Sequence, residues 1–120
     1  MDKTGEYFLD LGVHTCLESE RIFIEILSPE RFRVQKLLIP ANIAKDFTID
    51  WIKIGNKHQF LSTGSLPAIL FNDDCKTPFG LKGDLVDGII KVSVINKSKE
   101  ARQFRGVLAG IREEKVSWYL

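Results

Sequence analysis

Apolar and polar residues alternate with a period of two along most of this chain. In residues 88 to 110, GIIKVSVINKSKEARQFRGVLAG, Ile90, Val92 and Val94 interleave with Lys91, Ser93 and Ile95. The run stops at Asn96-Lys97-Ser98-Lys99-Glu100, and a second run from Ala101 to Ala109 ends at Gly110. Alternation, β-branched residues and a polar connection predict a β-hairpin with one face in a core.

The same pattern recurs upstream. Tyr7 to Cys16 alternates loosely, and Arg21 to Leu27 sets Ile22, Ile24 and Ile26 on one side. Ser28-Pro29-Glu30 marks a turn, because proline fixes its own φ and cannot continue a ladder. From Arg31 to Ile39, Phe32 and Val34 share one face and Arg31, Arg33 and Gln35 the other. The phase slips at Leu37-Leu38-Ile39, as at a β-bulge or a strand buried on both faces. Pro40 to Lys45 reads as a connection with one helical turn. Phe47 to Ile54 is a strong strand with a slip of its own, since Phe47 and Ile49 share one face and Ile52 and Ile54 the other. Gly55-Asn56 closes it with turn chemistry.

His58 to Leu61 and Leu66 to Phe71 are shorter strand candidates, and Asn72 to Gly80 is the most loop-like segment. Leu81 to Val86 leads into the 88–110 pair, and Val116 to Leu120 is a candidate closing edge strand. Roughly eight to ten short strands with turns about every 8–12 residues predict an all-β fold. The expected architecture is an antiparallel β-sandwich, jelly-roll-like, or a small barrel. A parallel α/β fold would need crossover helices for which the chain has no room.

Composition adds bounds. At 120 residues the chain fits one domain, expected over 1–120 with residues 1–5 as a flexible arm. Folding at this size buries roughly two-thirds of the extended surface. A 44% hydrophobic fraction supports a core without staples. Charge is balanced, 17 Lys+Arg against 16 Asp+Glu, which argues against sequence-independent nucleic-acid binding. No apolar run approaches the ~20 residues of a membrane span, and the N-terminus has no secretory pattern. Two cysteines, Cys16 and Cys75, are too few for a disulfide scaffold and point to folding in a cytosol.

Candidate chemistry is sparse. His14 and Cys16 lie two apart on a strand, with His58 and Cys75 elsewhere, but structural zinc sites supply ligands as close pairs and only one pair exists. Asp73-Asp74 after Asn72 lacks the ligand spacing of a calcium loop and reads as an acidic turn. Asp84 and Asp87 flank a strand entrance rather than a recognisable acid–base pocket. Gly80, Gly83 and Gly88 are too far apart for a phosphate cradle. No cofactor, metal ligand or catalytic residue is expected, and the chain is read as non-enzymatic. Arg31, Arg33 and Gln35 form a polar stripe that Arg102 and Arg105 could extend, while Phe32 and Phe104 alternate toward the core. Trp51, at the phase slip and directed outward, and Trp118 and Tyr119, near the chain end, are the expected partner-binding residues.

Beyond this, the strings Leu38-Ile39-Pro40-Ala41, Ile43-Ala44, Asp46-Phe47, Ile52-Lys53-Ile54-Gly55-Asn56, Gln59-Phe60 and Pro67-Ala68 form a recurrent set. With Val92 to Ser98, Phe104 and Gly106-Val107-Leu108-Ala109-Gly110, they resemble small structural proteins of bacteriophage virions, over about residues 31–110. The resemblance implies a β-sandwich that acts by assembly: a minor capsid, decoration or spike component. Its implied partners are itself, as a homo-oligomer, and other virion proteins. Its implied location is the virion, after synthesis in the host cytoplasm. The competing reading from the residues is a monomeric β-sandwich module binding carbohydrate or peptide.

Overall fold

The computed structural model describes residues 5–60, 64–72 and 80–113. It is built of strands β1 (Glu6–Cys16), β2 (Arg21–Leu27), β3 (Phe32–Leu38), β4 (Phe47–Ile54), β5 (Lys57–His58), β6 (Leu66–Pro67), β7 (Leu85–Val86), β8 (Ile89–Asn96) and β9 (Arg102–Arg112). A one-turn helix, α1 (Ala41–Ala44), precedes β4, and a 3₁₀ turn (Ala68–Phe71) follows β6. Two antiparallel sheets form, one ordered β1-β9-β3-β7 and the other β2-β8-β4-β5, with β6 also paired to β4. The long strands β1 to β4 alternate between the sheets, as do β8 and β9, and these orders are those of a jelly roll. The expectation of an all-β sandwich therefore holds.

One core lies between the sheets. Leu9, Leu11, Phe32, Val34, Leu37 and Leu108 face it from the first sheet, and Ile24, Phe47, Ile49, Ile52, Val92 and Val94 from the second. The rings of Phe47 (β4) and Phe104 (β9) meet edge to face across it, centroids 5.2 Å apart. Such a geometry suits the aromatic quadrupole and adds to the area buried.

The phase slips in the sequence are bulges. In β4 the register shifts between Ile49 and Trp51, opposite Val94 and Ser93, so Asp50 is an extra residue. Phe47, Ile49, Ile52 and Ile54 consequently all point inward, which corrects the division of these residues between two faces. A bulge in β3 at Gln35 likewise keeps Phe32, Val34 and Leu37 buried. A third in β1 sets Leu11 and Gly12 against one position of β9. Gly12 takes φ +84 there, a region that costs a side chain dearly. The Asp10 carboxylate accepts its N–H at 2.8 Å, and His14 Nε2 donates to the Leu11 carbonyl at 2.6 Å.

Two expectations are overturned. The 88–110 pair is not a hairpin: β8 lies between β2 and β4, and β9 lies between β1 and β3 in the opposite sheet. Both edges of β8 are occupied, so β9 has no ladder to join beside it. Asn96 turns the chain across. Its amide nitrogen donates to the carbonyls of Cys16, Leu17 and Glu100, and its oxygen accepts the Ser98 N–H. Leu66 to Phe71 is not one strand either. Pro67 (φ −58) ends the extended backbone, and the following turn buries Ala68 and Phe71, three residues apart on one side.

Residues 1–4 of the expected arm lie outside the described residues, and the Gly5 carbonyl accepts the Arg112 N–H at 2.8 Å. The candidate strand at Val116 to Leu120 also lies outside them. Among the described residues no helix is long and apolar enough to cross a membrane.

Candidate functional site on the outer sheet faces

Three neighbouring strands build the most distinctive surface. Phe23 on β2 pairs with Ser93 on β8, which pairs with Trp51 on β4. All three side chains leave the outer face of the second sheet. Serine is small, so the rings on either side close over it: the Phe23 and Trp51 centroids stand 6.0 Å apart at 30°, and Ser93 is fully buried. Burying a hydroxyl is costly without a partner. The Ser93 hydroxyl donates to Asp50 Oδ2 at 3.0 Å, and Arg21 Nε lies 2.7 Å from the same oxygen. The bulge residue Asp50 thus anchors the floor beneath the aromatic pair.

The next row along the strands is charged. Glu25, Lys91 and Lys53 stand side by side on β2, β8 and β4. Lys91 Nζ is 3.7 Å from Glu25 Oε1. Lys53 Nζ stands 4.6 Å from the Trp51 ring centroid, a cation–π contact, and pairs with no carboxylate among the described residues. His58, opposite Lys53 on β5, meets Trp51 edge-on at 6.4 Å. A depression of about 380 Å³ opens between Phe23, Glu25, Trp51, Lys53 and Lys91. Phe23 is 67% exposed and half-buried Trp51 forms the wall beside it.

A second surface lies on the first sheet. Phe8 on β1 is 56% exposed and overhangs an apolar groove of about 330 Å³ formed with Leu38, Pro40 and Val107. Leu38 and Val107 are register partners, so the groove crosses from β1 over β9 to the end of β3.

Of the three expected contact residues, Trp51 is on an outer face, because the Asp50 bulge redirects it. Trp118 and Tyr119 lie outside the described residues. Phe23 and Phe8 escaped the sequence reading. Their signal was an aromatic in the polar phase of a strand, Phe23 between Arg21 and Glu25, and Phe8 between Glu6 and Asp10.

Other expected groupings disperse. Arg33 pairs in register with Ile111 and Arg105 with Val13, placing them six residues apart along β9, roughly 20 Å. Arg31, Arg33 and Arg102 each face a carboxylate, Asp87, Glu113 and Asp46 respectively. No continuous basic track results among the described residues. Asp84 accepts from buried Gln59 at 2.8 Å, and Gln59 also accepts the Lys82 N–H, which ties the segment before β7 to β5. Cys16 is buried beside Asn96, and burial with the nearby Glu20 charge pushes its thiol up to about 11. His58 belongs to the other sheet, and Cys75, Asp73 and Asp74 lie outside the described residues. Among the described residues no three His, Cys, Asp or Glu side chains converge as a metal site.

Comparison of the chain with family models, with curated proteins and with solved structures found no match.

Proposed function

We propose that this protein is a non-enzymatic structural or assembly component of a virion, of the minor capsid, decoration or spike type, that works through contacts with copies of itself and with other virion proteins. The virion assignment rests on the resemblance over residues 31–110. The mode of action rests chiefly on the Phe8 groove. Phe8, Leu38, Pro40 and Val107 leave an apolar channel open on an outer sheet face, and an exposed aromatic beside such a channel is the type of side chain enriched in protein interfaces. A jelly roll suits such a role because its two outer faces and its edges remain available for neighbours after the core is formed.

The test is the solution mass by light scattering over a wide concentration range. A fixed oligomer is expected, with Phe8→Asp shifting it toward monomer while the far-UV spectrum stays β-like. Trp118→Ala and Tyr119→Ala are expected to weaken the same assembly. A strict monomer throughout would remove self-association from the reading and favour a binding module acting alone.

A further inference from the structure

We infer that the outer face of the β2-β8-β4 sheet is a binding site for an acidic sugar, a pyranose bearing a carboxylate, that packs on the exposed Phe23 ring with Trp51 as its side wall and sets its carboxylate at Lys53 and Lys91. This site is on the opposite sheet from the Phe8 groove and does not depend on the assembly reading.

The aromatic part is already formed. Phe23 and Trp51 come from strands held on either side of β8, and the stacked pair sits on a floor fixed by the Ser93–Asp50–Arg21 contacts. A ligand would therefore find the rings in place, with little ordering left to oppose binding. The exposed Phe23 ring matches the C–H face of a pyranose, which buries apolar hydrogens while its hydroxyls stay outward. The depression of about 380 Å³ lies within the roughly 300–1,000 Å³ range of small-molecule sites.

Charge selects an acidic ligand. Lys53 holds its ammonium at the Trp51 ring with no carboxylate partner among the described residues. Among the described residues Lys91 has only the long 3.7 Å contact with Glu25. A carboxylate delivered by the ligand would complete both, and charge-assisted hydrogen bonds are the stronger kind. Glu25 and His58 at the margin are suited to hydroxyls.

The same features argue against other occupants. A peptide strand is recruited by unpaired backbone groups at a sheet edge, whereas β8 is paired on both sides at these positions. Single-stranded nucleic acid uses a basic groove that follows successive phosphates, whereas Glu25 and Asp50 share this patch with the cations.

The chain has two tryptophans, so Trp118→Phe leaves Trp51 as the sole indole reporter. This variant should be titrated by fluorescence and calorimetry with trigalacturonate, trimannuronate and a sialic acid dimer. The methyl esters of the same sugars and hexaglutamate serve as comparisons. Saturable binding of at least one acidic sugar is expected. It should weaken at least tenfold in the methyl ester and in Lys53→Gln, and vanish in Phe23→Ala, whose exposed side chain can go without unfolding the sheet. Three results would overturn the proposal: no saturable signal from any of the three sugars, equal binding of hexaglutamate, or undiminished binding by a folded Phe23→Ala protein.

Discussion

Gly110 of β9 runs so close to Arg33 of β3 that a methyl group on its Cα would overlap the Arg33 carbonyl oxygen and lie 2.8 Å from the carbonyl carbon. The neighbour is backbone in the middle of a sheet and cannot swing aside. Gly110→Ala should therefore destabilise by roughly 1–3 kcal/mol, the usual cost of overpacking. Gly106 offers the control: its added methyl would first meet side-chain atoms, those of Leu11 and Leu37 at 3.4 Å and the Phe104 ring at 3.5 Å. Urea unfolding should give Gly106→Ala a near-normal midpoint and Gly110→Ala a clearly lower one. Equal midpoints would contradict the packing at Gly110.

The Phe47–Phe104 contact joins the two sheets, and Phe104 is fully buried. Phe104→Ala should cost roughly 3–5 kcal/mol. Phe8→Ala removes the same atoms from an exposed position and should cost under about 1 kcal/mol, as surface substitutions do. Comparing the two by chemical denaturation separates burial from residue type.

Asn96 directs the crossing from β8 to β9 by offering two amide hydrogens to three carbonyls. Asn96→Ala should destabilise by about 1–3 kcal/mol, because those buried acceptors lose their donor. Asn96→Asp is nearly the same shape but removes the donors altogether, so it should be at least as damaging. A thermal melt in which Asn96→Asp matched the parent protein would show that the crossing is held by other contacts.

Cys16 has its thiol raised from 9.0 to about 11, through burial first and the Glu20 charge second. A group that keeps its proton longer in the folded state stabilises fully below the unfolded pKa. That contribution is lost as pH rises from about 9 through about 11. In a Cys75→Ser background, iodoacetamide at pH 8 should modify Cys16 only after urea is added. Cys16→Ala should also flatten the fall in stability between pH 9 and pH 11. Rapid alkylation of the folded protein would refute the burial.

Much of this fold is legible in the alternation of residues, since a strand's inward and outward positions are a local property of the pleat. The slips at Leu37-Leu38-Ile39 and within Phe47–Ile54 were visible as changes of phase. Their consequence was not, because whether a slip splits a strand between two faces or restores one face depends on the ladder opposite. Phe23 and Phe8 were legible only as aromatics out of phase with their neighbours. That Phe23 meets Trp51 could not be read at all, because the two residues lie on strands separated by β8.

The sequence by itself determined the all-β class, most of the strands, the turns at Ser28-Pro29-Glu30 and Gly55-Asn56, and the inward set on β2 and β8. These follow from steric preferences and side-chain periodicity acting over a few residues. Only the tertiary structure decided that β8 and β9 belong to opposite sheets, that three bulges keep the core continuous, and that two aromatic rings close over Ser93. Each strand has two edges, and which partners fill them depends on contacts between residues far apart in the chain, which no local pattern encodes.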